Sequence, residues 1–245
     1  MPVAQRSLNQ LLRALSEEDF EALRPHLQST ELVKETVLIE AGAPLTEVYL
    51  PESGIISMMV RLPEGQRIEL AMVGRDSIVG AAAAFGDAIS LSEAVVLLPG
   101  SASVLEVATF RAIANRSIAF RTQLARHQQA LIAQAQQSAA CNASHSVEAR
   151  LSHWLLRARD LCDSERLPLT QELLARMIGV QRNAVSIVAH GLQQAGIIHY
   201  NRGYIGINNP QGLEEMSCEC YRVVKTQQDR LLKPAATATR LRSQR

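Results

Sequence analysis

The sequence predicts an α+β fold with three parts: an N-terminal domain of antiparallel β-strands, one long helix, and a C-terminal winged helix-turn-helix. Short apolar runs with a period of two, separated by turns that contain Gly and Pro, fill much of the first hundred residues. Residues 109–140, by contrast, contain neither Gly nor Pro. We expect the β domain at 1–108, the long helix at 109–143, the helix-turn-helix domain at 144–232 and a disordered tail at 233–245.

The β domain follows a short helix near the N-terminus. Ser16 to Asp19 has the form of a capping box, with a hydroxyl at the cap and a carboxylate three residues later, so a helix is expected to begin there. Apolar residues alternate over 56–62 and again over 68–72, on either side of a turn, and this pattern predicts a β-hairpin. Further apolar runs bring the total to about seven or eight strands, enough for a small antiparallel barrel or sandwich.

The long helix carries a candidate dimer interface. Ala, Gln, Arg and Leu dominate residues 109–140, as expected for about thirty residues of continuous helix. A heptad pattern places four residues on one narrow seam, which is typical of a helix that pairs with its own copy: Phe120, Leu124, His127 and Leu131. A helix that only packs against its own domain is the alternative. Haem binding or titration by His127 is also conceivable, but a packed histidine is the simpler interpretation.

Composition limits the classes of protein. The 245 residues are 47% hydrophobic and 20% charged, the balance of a folded chain. No run of about eighteen apolar residues and no apolar N-terminal segment occur, so we expect a cytoplasmic protein with no membrane partner. Four cysteines are too few and too unevenly spaced for a disulfide scaffold. We therefore expect free thiols at Cys141, Cys162, Cys218 and Cys220.

Charge is unevenly distributed along the chain. Residues 1–144 contain 11 Lys and Arg against 15 Asp and Glu, a balance of −4, whereas residues 145–245 contain 14 against 9, a balance of +5. Concentrated positive charge is expected where a protein neutralises phosphates. A solvated basic surface without a partner explains the charge equally well, so the local sequence motif must decide between the two.

Residues 169–198 have the pattern of a helix-turn-helix. Thr170 is a helix cap, and Ala175 is small where a second helix must cross closely. Gly179 follows the first helix, at a position that favours the left-handed conformation. The buried stripe of the second helix is predicted from residues three and four apart: Val185, Val188 and Leu192.

The opposite face of the second helix is polar and suits a DNA groove. Arg182 can donate a bidentate pair to guanine, and Asn183 can pair with adenine. Two short strands then flank a turn that carries Arg202, and this wing places the arginine beside a DNA backbone. The predicted DNA contacts are Thr170, Gln171, Gln181, Arg182, Asn183, Ser186 and Arg202. An ordinary helical hairpin in a core is the alternative, and it does not explain the polar end and the wing together.

With this motif, the chain resembles the Crp/Fnr superfamily of bacterial regulators over nearly its whole length. Ala175 and Gly179 match the family's small residue and turn glycine, and Arg182 matches the arginine that its members commonly use to read guanine. Ile187 stands where several members have a second contacting arginine, so the target sequence is expected to differ from the best-known sites. The resemblance implies a cyclic-nucleotide-binding-like β-roll, a homodimer on a two-fold symmetric operator in double-stranded DNA, and contact with RNA polymerase as the route to activation.

The sensor half departs from the cyclic-nucleotide-binding members. Their cassette has a glycine-rich turn, a glutamate for the ribose and an arginine for the phosphate. Phe85-Gly86-Asp87 resembles its opening, but Ser92-Glu93-Ala94 stands where Arg-Ser-Ala is expected, and no Lys or Arg lies between Arg75 and Arg111. Glu93 would repel a phosphate. The candidate effector pocket comprises Gly80, Phe85, Gly86, Asp87, Ser92 and Glu93.

We therefore expect a regulator that does not depend on a cyclic nucleotide, and the sequence identifies no small-molecule effector in its place. A cyclic-nucleotide-gated regulator with a non-standard phosphate cassette is the alternative. A regulatory subunit that does not bind DNA is a further alternative, and it predicts a buried Arg182.

No cofactor, metal site or catalytic motif is predicted. Iron-sulfur sensing in this superfamily uses cysteines near the N-terminus, whereas the first cysteine here is Cys141. Cys218-Glu219-Cys220 lacks a matching pair or a nearby histidine cluster, so inert thiols are the simpler interpretation. Gly-x-Ser-x-Gly, His-Glu-x-x-His and phosphate-loop motifs do not occur, and Asp76 with Asp87 is only a weak carboxylate pair. An enzyme is therefore not expected.

Overall fold

The computed structural model describes residues 7–86, 89–162 and 164–232. Two short helices open this part of the chain, and a 3₁₀ turn follows them at Arg24–His26: α1 (Gln10–Ala14) and α2 (Glu17–Leu23). The predicted helix start is confirmed, because the Ser16 hydroxyl accepts a hydrogen bond from the Asp19 backbone N–H at 3.1 Å.

Two antiparallel sheets form the N-terminal domain, as predicted. Within the described residues their seven strands are β1 (Gln28–Leu32), β2 (Val37–Ile39), β3 (Glu47–Pro51), β4 (Ile55–Arg61), β5 (Arg67–Val73), β6 (Glu93–Leu98) and β7 (Gly100–Glu106). The order is β1-β7-β3 in one sheet and β2-β6-β4-β5 in the other. The predicted hairpin is the β4–β5 pair, which places Met58 opposite Ala71. A 3₁₀ turn at Ala81–Phe85 precedes β6.

Both faces of the β4–β5 hairpin are covered. Ile56 and Val73 belong to the core between the two sheets. Ile55, Met59 and Met72 belong to a second core, which the β domain shares with the C-terminal helices. The first five residues of β4 are consequently all buried. An alternating pattern by itself predicts one covered face, so this burial results from the packing of one domain on the other.

The predicted single long helix is two helices, α3 (Val107–Ala114) and α4 (Ile118–Ser144). The prediction of one continuous helix is therefore wrong near its start. Ser117 interrupts it, because its hydroxyl caps α4 by accepting a hydrogen bond from the Phe120 N–H at 3.1 Å. The chain resumes in α5 (Val147–Cys162). The domain boundary predicted near Ser144 coincides with the end of α4.

The C-terminal domain is a winged helix-turn-helix followed by two helices. Its elements are β8 (Arg166–Leu167), α6 (Gln171–Met177), α7 (Arg182–Gln194), β9 (Ile198–Asn201), β10 (Tyr204–Ile207), α8 (Pro210–Met216) and α9 (Cys220–Leu232). The three strands form a sheet in the order β8-β10-β9, and α9 packs along α4. Residues 233–245, for which we expect a disordered tail, lie outside the described residues. None of the described helices is long and apolar enough to cross a membrane.

Candidate nucleic-acid interface

The turn between α6 and α7 has the predicted geometry. Gly179 adopts a φ of 65°, and a Cβ atom built there would meet nothing within 4 Å. Glycine is therefore favoured at this position by the backbone conformation rather than by lack of space. Ala175 is 3% exposed, and its carbonyl accepts a hydrogen bond from the Val180 N–H at 3.0 Å. Of the predicted buried stripe of α7, Val185 and Leu192 are buried and Val188 is partly buried against the same core.

The N-terminal end of α7 is open to solvent. The side chains of Gln181, Arg182 and Asn183 are exposed. Within the described residues, the Arg182 guanidinium has no hydrogen-bond or ion-pair partner, so its five donors face water. The backbone amides of a helix's first turn lack intrahelical partners, which makes this end favourable for a phosphate or a base edge. An exposed Arg182 argues against a subunit that does not bind DNA.

Three of the predicted contact residues make hydrogen bonds inside the motif. The Ser186 hydroxyl donates to Gln171 Oε1 at 2.6 Å and so joins α7 to the start of α6. The Thr170 hydroxyl caps α6 by accepting from the Leu173 N–H at 3.1 Å. The Ser186–Gln171 hydrogen bond joins the two helices, whereas the Thr170 cap fixes the start of α6. The other predicted contact residues, Gln181, Arg182, Asn183 and Arg202, have exposed side chains.

The wing is a two-residue hairpin turn. Arg202 and Gly203 have φ values of 44° and 84°, which match the twist of a type I′ turn. The Arg202 side chain is exposed at the tip, as predicted. Next to this turn, the Arg166 guanidinium of β8 lies 4.5 Å from the centre of the Tyr204 ring. The tip of the wing therefore has two positive charges close to it, Arg202 and Arg166.

A groove of about 550 Å³ separates the β4–β5 turn from the exposed end of α7. Four arginines line it: Arg61, Arg67, Arg176 and Arg182. Two of them share an ion pair with Glu93, whose carboxylate lies 2.5 Å from Arg61 and 2.7 Å from Arg67. Arg176 pairs with Glu35 of the β domain at 3.3 Å. Glu93 itself is only 2% exposed.

Glu93 has cationic partners, although no Lys or Arg lies between Arg75 and Arg111 in the sequence. Arg61 and Arg67 reach it from the neighbouring β4–β5 hairpin. The carboxylate is therefore held by two cations that would otherwise be available to an anion.

The other predicted pocket residues surround the 3₁₀ turn before β6. Gly80 begins the turn with a φ of 91°, and the Gly86 carbonyl accepts a hydrogen bond from the Arg111 guanidinium at 2.6 Å. Phe85 is 45% exposed beneath the Arg121 guanidinium, which lies 5.4 Å from the ring centre. Ser92 accepts a hydrogen bond from Ser90 through its carbonyl. Asp87 lies outside the described residues.

The residues of the predicted dimer seam on α4 face the β domain of their own chain. Phe120, Leu124 and His127 are 1%, 0% and 5% exposed, because their own chain covers them. Leu131 is half-buried against the core between the sheets. His127 Nδ1 lies 3.1 Å from the Ser77 hydroxyl, and burial lowers the pKa of His127 to about 4. These four residues pack α4 against its own β domain. His127 is therefore a packed histidine, and its imidazole is neutral near pH 7.

A different stripe of α4 faces outward. Ile118 and Ile132 are 86% and 55% exposed, and they are separated by two heptads. We call the surface that they define the outer stripe. Its positions, three or four residues apart, are Ile118, Thr122, Ala125, Gln129, Ile132, Gln136, Ala139 and Ala143. The sequence pattern did not reveal this stripe because most of its members are small or polar.

The structure also brings together cysteines that the sequence places far apart. Cys141, Cys218 and Cys220 are free and buried in one cluster, and His145 lies beside them. The predicted free thiols are confirmed, since Cys162 is free as well. The proximity of His145 to Cys218 and Cys220 is not apparent from their spacing in the sequence. A hydrogen bond from the Cys141 thiol lowers the pKa of Cys218, and the neighbouring His153 lowers it further.

Two sequence families match the chain. The cyclic nucleotide-binding domain matches residues 29–117 and the Crp-like helix-turn-helix domain matches residues 149–216, so together they cover more than half of the sequence. No curated protein sequence matches it.

Several solved structures share the whole arrangement. FixK2 from Bradyrhizobium japonicum has 16% identity and a TM-score of 0.68, over 78% of this chain and 98% of that one. A protein from Eubacterium rectale, described as a transcriptional regulator of the Crp/Fnr family, has 17% identity and a TM-score of 0.64, over 84% and 96%. The c-di-GMP responsive global regulator CLP from Xanthomonas campestris has 16% identity and a TM-score of 0.61, over 78% and 99%.

At these identities the solved structures show a common fold, and the two matched domains identify its parts. A β domain, a long helix and a winged helix-turn-helix with an exposed recognition end occur here in the same order. The chain belongs to the Crp/Fnr family of DNA-binding transcription regulators.

Proposed function

We propose that this protein binds a two-fold symmetric operator in double-stranded DNA as a homodimer, with α7 of each protomer in the major groove. The observation that carries the proposal is the exposed guanidinium of Arg182 at the N-terminal end of α7. It has no partner among the described residues and lies opposite a buried apolar face. In a helix-turn-helix, this end of the second helix reaches the base edges. Since a bacterial operator lies in the cytoplasm, the protein would act there, as a regulator rather than an enzyme.

The side chains at this end suit a mixed recognition sequence. Arg182 would donate two hydrogen bonds to guanine, and Asn183 would pair with adenine. Ile187, one turn later, is 73% exposed and offers an apolar contact to a thymine methyl group instead of a second guanine contact. Gln181 and Arg202 would bind the phosphate backbone on either side. Thr170, Gln171 and Ser186 would support the interface mainly by fixing the two helices, as their hydrogen bonds indicate.

The outer stripe of α4 supports the homodimer. Members of this family are typically dimeric. The stripe places Ile118, Ala125, Ile132 and Ala139 seven residues apart along an exposed face, with small residues that allow close approach of a second helix. Pairing of two α4 helices through this stripe would relate the two copies of α7 by a two-fold axis, which matches a two-fold operator.

We further propose that the protein does not depend on a cyclic nucleotide. A cyclic phosphate needs a cation, and the Glu93 carboxylate already pairs with Arg61 and Arg67 beside β6, where it would also repel the phosphate. Members of the fold respond to different signals, as the c-di-GMP responsive regulator CLP and the CO-dependent factor CooA illustrate. The effector of this chain is therefore not identified by its fold. Contact with RNA polymerase would be the route to activation.

Selection of genomic DNA fragments tests the proposed function. The purified full chain, without added ligand, would be incubated with fragments at about 150 mM salt, where non-specific phosphate binding is weakened. We expect enrichment of an inverted repeat with half-sites one helical turn apart. Enrichment of a single unrepeated site would contradict the homodimer. No enrichment, with or without cell extract, would contradict sequence-specific DNA binding.

A further inference from the structure

Four metal-ligand side chains meet where the end of α4 contacts the start of α9. Cys141 and His145 are four residues apart and lie on one side of the last turn of α4. Cys218 lies in the loop before α9, and Cys220 is the first residue of α9. Their ligand atoms, three Sγ and one imidazole nitrogen, all lie within 4.8 Å of one another. The three cysteines are 2%, 7% and 0% exposed.

We propose that Cys141, His145, Cys218 and Cys220 bind one Zn²⁺ ion, and that this ion joins the dimerisation helix α4 to the C-terminal helix α9. Three thiolates and one imidazole form a closed tetrahedral donor set that zinc favours in structural sites. The proposal goes beyond DNA binding and does not depend on it.

The distances between the ligand atoms suit a tetrahedral zinc site. With Zn–S bonds of about 2.3 Å and a Zn–N bond of about 2.0 Å, the edges of the tetrahedron are about 3.8 Å between sulfurs and about 3.5 Å between sulfur and nitrogen. The Cys141 and Cys218 sulfurs are 3.5 Å apart, and the Cys220 sulfur lies 3.5 Å from His145 Nδ1. The other ligand atoms lie within 4.8 Å of one another, so movements of at most about 1 Å would complete the site.

The surroundings of the cluster are those of metal ligands rather than of inert thiols. His145 directs Nδ1 at Cys220, while its Nε2 lies 3.3 Å from the Glu219 carboxylate. A carboxylate on the distal ring nitrogen is the usual partner that orients a zinc-binding histidine. Gln137 donates a hydrogen bond to the Cys220 sulfur at 3.0 Å. Arg150 has a favourable Coulomb interaction with Cys141 and Cys218, which suits a site of three thiolates with one excess negative charge.

A zinc ion here would act across the junction between the domains. Cys141 and His145 lie at the C-terminal end of α4, directly before the start of α5, whereas Cys218 and Cys220 follow the winged helix-turn-helix. One ion bound by both pairs would restrict the angle between α4 and the domain that carries α7. Metal bound only by the folded chain also raises the free energy of unfolding.

Metal analysis of the untagged full chain tests the proposal. We expect about one zinc per chain after purification without chelator, measured by inductively coupled plasma mass spectrometry. Replacement by Co²⁺ should give the visible absorption of a tetrahedral site together with thiolate-to-cobalt charge-transfer bands. Cys218→Ser and Cys220→Ser should each lose most of the bound metal, and His145→Ala should weaken binding at least about tenfold. Cys162→Ser is the matched control, since this fourth cysteine lies outside the cluster, and it should retain full occupancy.

Measurements on the wild-type protein test the zinc site without any variant, so they hold even where a variant folds poorly. Release of zinc when a mercurial blocks the thiols of the folded protein, with a lower melting temperature afterwards, would support the site. A purified wild-type protein that contains no zinc and takes up no Co²⁺ with all its thiols reduced would overturn the proposal. An intact mass lower by two hydrogens, from a Cys141–Cys218 disulfide, would also overturn it. Because no readout involves DNA, these outcomes do not depend on the operator experiment.

Discussion

The indole nitrogen of Trp154 donates a hydrogen bond to the buried carboxylate of Glu69 at 2.7 Å. Trp154 lies on α5, at the start of the C-terminal domain, and Glu69 lies on β5 of the β domain. The Ser57 hydroxyl donates to the other carboxylate oxygen at 2.5 Å. The contact between the two domains therefore contains a titratable acid that is removed from water and held by neutral donors.

The first prediction concerns the pH dependence of stability. Burial raises the pKa of Glu69 from 4.5 to about 7, against the hydrogen bonds from Ser57 and Trp154 and the charge of Arg157, which lower it. Between these two pKa values the folded chain binds more protons at Glu69 than the unfolded chain. The contribution of Glu69 to the free energy of unfolding should therefore fall as pH rises from about 4.5 to about 7, by at most about 3 kcal/mol.

Glu69→Gln removes the charge and keeps acceptor and donor atoms at the same place. The free energy of unfolding of the variant minus that of the wild type should be about 1 to 3 kcal/mol larger at pH 8 than at pH 5, as measured by urea titration at each pH. Glu64→Gln on the exposed hairpin turn is the control, because its side chain is in water in both states. A difference from wild type that is the same at both pH values would show that Glu69 does not titrate in this range.

The second prediction concerns the dimer interface. Ile118→Glu together with Ile132→Glu would place charges along the outer stripe, and we expect dimerisation to weaken at least about tenfold in sedimentation equilibrium. Leu91→Glu is the matched control, since Leu91 is 91% exposed and belongs to the loop before β6 rather than to α4. If the double variant stays as dimeric as this control, the outer stripe is not the interface.

The third prediction concerns the turn of the helix-turn-helix. Gly179→Ala should lower the free energy of unfolding by about 1 to 2 kcal/mol, because a Cβ is unfavourable at a φ of 65° even where space is free. Gly191 lies inside α7, where space is also free, so Gly191→Ala should raise stability by about 0.5 to 1 kcal/mol. Urea unfolding of both variants checks the opposite signs. Equal effects of the two changes would remove the conformational explanation.

The fourth prediction concerns cyclic nucleotides. Because Glu93 holds Arg61 and Arg67, we expect no heat of binding when about 1 mM cyclic AMP or cyclic GMP is titrated into the wild-type protein. A one-to-one complex with a dissociation constant below about 100 μM would refute this. The β domain would then have to bind the phosphate through backbone amides or through arginines other than these two.

The features predicted correctly from the sequence are those set by neighbouring residues. The cap at Ser16, the hairpin of β4 and β5 and the turn at Gly179 each depend on a short segment whose conformational preferences act locally. The break at Ser117 is also local, but a helix pattern rich in Ala and Gln concealed it, since serine is tolerated within a helix as well as at its cap.

The features that were missed depend on contacts between distant segments. Glu93 pairs with Arg61, which lies 32 positions earlier in the sequence, and Cys218 contacts Cys141, which lies 77 positions earlier. The heptad pattern on α4 correctly indicated a buried seam at Leu124, but a period alone does not say whether the covering surface belongs to the same chain or to a partner. In each case the missing information was which element packs against which.

The most direct test of the central claim compares two variants of α7 on the operator that the selection identifies. Arg182→Ala removes the exposed guanidinium at the N-terminal end of α7, and Gln194→Ala changes an exposed residue at the opposite end of the same helix. In fluorescence anisotropy titrations, Arg182→Ala should bind the operator about 5 to 150 times more weakly than the wild type and lose discrimination at one base pair, because about 1 to 3 kcal/mol of base contact is removed. Gln194→Ala should bind as the wild type does. Equal affinity and equal discrimination of both variants would contradict DNA reading by α7.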